Sequence, residues 1–205
     1  MTGAGYAEDN GNPAKAEQIW LKTEREGSYA VFPTLDIARR IFKSSLFTSS
    51  GVYRLADTLD YPALLASSVR FDAVVYNETT GRQEIFSNYD PRCRENHLVL
   101  RQAIVASCSL NGFLDAVNID RCTYSDGVSF LIKPAVQYGC NTIFIFLNQA
   151  EGGVPPQADR WWLHRLLYGI HTMNEVLEEK EIEAAEGANQ NLLDFEEVAN
   201  VLNTA

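Results

Sequence analysis

The stretch VRFDAVVYNETTGRQEIFSN, residues 69–88, constrains the fold more than any other part of this chain. Two short apolar runs flank NETTG, where Asn77, Thr80 and Gly81 are turn formers. That pattern predicts a β-hairpin with strands at 69–76 and 82–87. Helical patterns stand on both sides of it, so the chain must combine helices with a sheet.

Before the hairpin, NPAKAEQIWLKTERE (12–26) reads as a helix. Asn12 caps it, Pro13 suits its first turn, and Ala16, Ile19 and Trp20 share a face. TLDIARRIFKSSLF (34–47) is a second helical pattern, and the polar stretch 46–51 ends it. LADTLDYPALLASS (55–68) predicts helical turns interrupted by Pro62.

After the hairpin, ENHLVLRQAIVASCSL (95–110) is a helix with Leu100, Ala103, Ile104 and Ser107 at helical spacing. LDAVNIDRCTYSDG (114–127) gives two short extended pieces around Asp120. KPAVQYGC (133–140) is a short helix that Gly139 can stop. TIFIFLN (142–148) has the content of a buried strand, and the chain from 158 to 181 reads as a long amphipathic helix. A last short helix is expected at 193–202. With no repeat and no long linker, the expectation is a single domain over 1–205, with an acidic helical extension from about residue 158.

The charge of −10 argues against nucleic acid as a partner, since phosphate binding needs a Lys/Arg footprint. Much of the acidic excess sits in the run 175–186, a solvated helix face. Cys93, Cys108, Cys122 and Cys140 have neither CxxC spacing nor a histidine at ligand spacing, so no metal site is expected. Reduced, mostly buried thiols are the plain reading. No cofactor motif occurs: there is no P-loop and no GxGxxG. No apolar run approaches a membrane span, and no signal peptide is visible, so a cytoplasmic protein is the expectation.

The nucleophile motif GxSxG is missing as well. His97, His164 and His171 lie in helical segments, where packing or surface roles are the ordinary ones. Asp126 stands out. A strand-like CTY delivers it, Gly127 frees the backbone after it, and an apolar strand comes further on. An aspartate in a turn most often bonds its own backbone. This one would stand at the rim of a sheet, where α/β proteins place sites.

LRQAIVASCSLNGFLDAVNIDRCTYSDG resembles the C-terminal half of patatin-like phospholipases. In that family a helix of the type A-I-x-A-S precedes a short strand, an I-D turn, a Y-x-D-G-G segment and an N-x-P step. Ala103, Ile104, Ala106, Ser107, Phe113, Ile119, Asp120, Tyr124, Asp126, Gly127 and Pro134 fall in register. The hairpin resembles the family's strand, T-G turn and strand, and the likeness runs over 68–147. The opening of the chain, MTGAGYAEDNGNPAKAEQIW, resembles the segment after the family's catalytic serine: a small-residue helix, a break, and a helix carrying A-x-x-x-W.

The resemblance implies an α/β fold: a three-layer patatin-like domain, truncated at its N-terminus, with a central mixed sheet and helices on both faces. It implies hydrolysis of lipid acyl esters by a Ser-Asp dyad, with Asp126 as the base and no cofactor or metal. Lipid or another acyl ester is the implied partner, met by transient contact with a membrane surface. Four departures stand against the pattern. Val128 replaces the second glycine, Ile132 the asparagine of N-x-P, Asn111 the usual proline, and Met1 lands on the nucleophile. The expectation is therefore a fragment or inactive remnant that holds Asp126 without the serine or the oxyanion loop. Two alternatives stay open: a non-catalytic interaction module using the acidic C-terminal helix, and an enzyme using Ser107, Cys108 or Ser109.

Overall fold

A computed structural model describes residues 1–26, 40, 43, 45–127 and 132–140. The chain divides into two compact units, Met1–Gly127 and Val128–Ala205. In the second, the described element is a short helix, Ile132–Gln137, followed by Gly139 at φ 84°. Gly139 thus stands where the sequence puts a helix stop. The expected helix at 34–47 lies almost wholly outside the described residues. So do the apolar strand at 142–148, the long acidic helix and the last short helix.

The first unit opens with α1 (Thr2–Glu8) and α2 (Ala14–Glu26). Asn10 at φ 50° and Gly11 at φ 90° make the break between them, a turn that favours asparagine and glycine. The side chain of Asn12 accepts from the Ala14 backbone N–H at 3.0 Å, the expected cap. Ala16 and Ile19 are buried, but Trp20 is 61% exposed, so it does not share their buried face. One position from Ile19 on a helix is a rotation of about 100°, which carries the indole to the rim of that face.

Two short helices come next, α3 (Ser50–Ala56) and α4 (Tyr61–Ala66). Pro62 does not interrupt a helix, contrary to the sequence expectation. It sits in the first turn of α4, where a missing N–H costs nothing, and Asp60 caps that turn by accepting from Ala63 N at 3.0 Å. The polar stretch at 46–51 likewise ends in the start of α3 rather than in a longer break.

The sheet is built from two hairpins. β1 (Asp72–Asn77) pairs with β2 (Arg82–Ser87), and β3 (Val117–Ile119) pairs with β4 (Cys122–Asp126). β1 and β4 then pair with each other, giving the order β2-β1-β4-β3. Asn77 closes the first turn: its side-chain oxygen accepts from Thr79 N and Thr80 N, and Gly81 takes φ 70°. Asp120, at φ 54°, turns the second hairpin, as its place between two extended pieces suggests.

All strand pairings among the described residues are antiparallel; the mixed sheet expected from the sequence is not found there. The two hairpins are joined through β1 and β4, and that pairing is antiparallel as well. An isolated parallel bridge, Phe47 to Leu114, lies outside the sheet. The class is mixed helix and sheet, as expected.

Between the hairpins run α5 (Pro91–Glu95) and α6 (His97–Ala106). α6 is the centre of the core: Val99, Leu100 and every residue from Ala103 to Ala106 are buried. It packs on all four strands and on α3, α4 and α5. Of the four cysteines, none is paired and Cys93 alone is buried; Cys108 and Cys122 are half-buried and Cys140 is exposed. The thiols are thus less buried than expected. Among the described residues no helix is long and apolar enough to cross a membrane.

One buried side chain joins the helical and sheet parts. Asn88 is fully buried; its amide donates to Leu64 O and Val69 O at 3.0 Å, and its oxygen accepts from Phe71 N at 2.9 Å. Asn88→Ala would take these bonds from Val69 O and Phe71 N and leave Leu64 O with the longer one from Ser67 N at 3.3 Å. The expected loss of stability is about 2–4 kcal/mol, read as a fall in the urea midpoint with an unchanged slope.

Candidate functional site

Asp126 is the last residue of β4, opposite Val75 of β1. Its backbone N–H donates to the carbonyl of Ser109 at 3.0 Å, so the end of the strand is fastened to the turn that succeeds α6. Gly127 comes next for a reason of space rather than torsion. It is not in the left-handed region. A Cβ there would lie 2.7 Å from Val74 Cγ1 and 2.9 Å from the Val74 carbonyl carbon. The Asp-Gly pair is thus where the chain leaves β4 in contact with the backbone of β1.

Burial pushes the Asp126 carboxyl up to about 7, far above an ordinary aspartate. Two lesser effects oppose it. The Gly127 N–H donates to the carboxylate, and the positive amino end of Met1 acts on it through space. The charge on Met1, the residue that the family resemblance sets at the nucleophile position, is thus one of the influences on Asp126. Met1 itself is half-buried against the core, and its carbonyl accepts from Ala4 N and Gly5 N in the first turn of α1.

Met1 also belongs to an apolar pocket of about 200 Å³. Ile19 and Trp20 of α2, Val52 and Leu55 of α3, and Cys108 form its other apolar walls. Thr23 joins them, and its hydroxyl proton goes to Ile19 O at 2.9 Å within α2. Nothing in the sequence pattern pointed to this pocket. It depends on four separate segments meeting.

The alternative nucleophiles separate clearly. Ser107 donates its hydroxyl to Ile104 O at 2.9 Å. Ser109 is fully buried and donates to Val105 O at 2.8 Å. Both hydroxyls satisfy carbonyls at the end of α6. Cys108 is the member of the trio that reaches the pocket. The structure also shows a Ser-Asp contact that sequence reasoning missed. Ser45 donates to Asp115 at 2.5 Å, and the Arg40 guanidinium pairs with the same carboxylate. Ser45 is 3% exposed, which leaves no room for a substrate, so this cluster is a structural clamp. His97 packs its ring 5.9 Å from that of Tyr61. His164 and His171 lie outside the described residues, as does Val128.

No family model matches the chain, and no curated protein matches it.

The raised Asp126 pKa fixes the sign of a pH effect. An unfolded aspartate ionises near 4. Below that pH both states are protonated and the carboxyl does not tax the fold. As pH rises through 4 toward 7, the unfolded chain ionises while the folded one resists, and stability is lost. Asp126→Asn should therefore match the wild type near pH 4 and exceed it by roughly 2–4 kcal/mol at pH 8. Urea unfolding of both chains across this range checks it. Gly127→Ala should cost about 1–3 kcal/mol at any pH, because the clash is with backbone.

Proposed function

We propose that this chain carries the general-base half of a patatin-like acyl-ester hydrolase, with Asp126 as the base and the position of Met1 as that of the nucleophile. The observation that carries the reading is a buried, proton-holding carboxyl at a strand end that feels the charge on the amino end of Met1. In such a pair a serine hydroxyl gives its proton to Asp126 as the oxygen attacks an ester carbonyl. Asp126 then returns the proton to the departing alcohol, leaving an acyl-enzyme for water to cleave. A group ionising near pH 7 suits both transfers at neutral pH.

Met1 has no hydroxyl to attack with. The reading is therefore of a fold with the base and without an attacking oxygen at that position, able to bind an acyl ester and not to turn it over. The small residues of α1, the break at Asn10 and Gly11, and the helix carrying Trp20 come in the order the resemblance implies. As part of the same proposal the protein is cytoplasmic and meets its lipid by transient contact with a membrane surface. Trp20 and Leu21, both exposed on α2, support that contact. The alternative of an interaction module built on the acidic run falls outside the described residues, and no observation among them favours it.

Purified wild-type chain should show no turnover of p-nitrophenyl butyrate above background. A Met1→Ser chain, released from a cleavable leader so that the new residue stands at position 1, should be labelled by a fluorophosphonate at that hydroxyl. Asp126→Asn in the same chain should cut the labelling rate by about 10²-fold or more. No labelling, or labelling that Asp126→Asn leaves intact, overturns the proposal.

A further inference from the structure

We infer that the pocket beside Met1 is a binding site for a single unbranched hydrocarbon chain, and that its size limits that chain to about eight carbons. The inference rests on the acyl-ester reading for the kind of ligand. The pocket supplies the length limit. An apolar cavity of roughly 150 Å³ holds a six-carbon ring such as benzene. This pocket, at about 200 Å³, has room for little more.

Its walls say what it accepts. Val52, Leu55 and Ile19 are core residues, each less than 7% exposed, and they close the inner end. Trp20 is 61% exposed and forms an outer wall. The Thr23 hydroxyl gives its proton to Ile19 O and can only accept, so among the described residues the lining offers a ligand shape, apolar surface and a single acceptor oxygen. A straight alkyl chain needs nothing else, whereas a sugar, nucleotide or peptide would lose hydrogen bonds on entry. Met1 belongs both to this pocket and to the surroundings of Asp126. An ester whose alkyl part fills the pocket would thus present its polar end on the Met1 side.

The test titrates the full chain with hexan-1-ol, octan-1-ol, decan-1-ol and dodecan-1-ol. Two readouts are used, tryptophan fluorescence and the alkylation rate of Cys108, with exposed Cys140 as the internal control. Affinity should rise about fourfold per added methylene up to about eight carbons and then level off. Octan-1-ol should slow alkylation of Cys108 and leave Cys140 unchanged. Val52→Phe, which fills the inner end, should move the plateau to about six carbons. Because Val52 is a core residue, Trp20→Ala on the exposed wall is the second variant. It should weaken octan-1-ol protection of Cys108 by about tenfold. A rise that continues unbroken to twelve carbons, no protection of Cys108, or protection indifferent to both variants overturns the inference. Alcohol binding needs no nucleophile. A plateau without fluorophosphonate labelling therefore leaves the pocket standing and removes the dyad, and labelling without a plateau does the reverse.

Discussion

The pairing of β1 with β4 is the constraint on which the rest of the structure depends. β1 is hydrogen-bonded along both edges, to β2 by a tight turn and to β4 by a connection that spans α5, α6 and β3. Because β2 and β3 are the outer strands, the chain between them must cross the sheet from one edge to the other. α6 makes that crossing. It is pressed between the four strands on one side and the helices α3, α4 and α5 on the other. This explains why every residue from Ala103 to Ala106 is buried, while His97 and Leu98 at the start of the helix stay exposed. The end of the crossing lands beside the end of β4, where Asp126 N meets Ser109 O. A carboxylate near the end of the chain's second hairpin is thereby fixed against the turn after its central helix.

The same constraint is reinforced by side chains that bridge strands. Glu84 of β2 accepts from Asn77 of β1 and from Tyr124 of β4, so one carboxylate ties three strands together. On the helical side, closeness depends on small residues. Ala4 and Ala7 are buried, and a Cβ on Gly5 would lie 2.7 Å from Ile19 Cδ1. α1 can therefore lie close against α2 while also packing on α4. That packing sets where Met1 stands. Among the described residues, the pocket is the space left where Met1, α2, α3 and the turn after α6 converge without a large side chain to fill it.

What the sequence made legible was local. The turns at NETTG and at Asp120 need particular residues, and the strands flanking them were readable for that reason. Asn12 and Gly139 punctuate helices by rules that act within a few residues. The misreadings were tertiary. Pro62 fits either a broken helix or a new one, and the difference lies in whether Asp60 turns its side chain onto Ala63 N. Trp20 shares the apolar spacing of Ile19, yet exposure is decided by what packs opposite. The role of Asn88 had no signal in the sequence, because it fastens backbone groups of Leu64, Val69 and Phe71. The reason for Gly127 was also hidden. Its lack of a side chain answers to Val74, some fifty positions earlier, and not to its own torsion angle. The place of Asp126 at a strand end was legible from the strand-like CTY before it. The pocket and the Ser45–Asp115 clamp were not, because each joins segments with no shared local pattern.

Asp126 poses an energetic problem that a purely structural role does not answer. A strand end needs a residue whose backbone can donate to Ser109 O, and any residue except proline does that. A short side chain that can accept from the next N–H is also met by asparagine, which is neutral and loses nothing by burial at pH 7. Aspartate in the same place must either carry a desolvated charge or hold a proton that it would give up in water. The amino end of Met1 offsets part of that cost, but the carboxyl still ionises near 7. Among the described residues, no arginine, lysine or metal-holding cluster compensates it. What aspartate offers and asparagine lacks is the ability to exchange a proton at neutral pH. That asymmetry is the physical argument for reading the Asp-Gly pair as a place for proton transfer. On the proposed reading, the pocket next to Met1 is where a substrate would be held for that exchange.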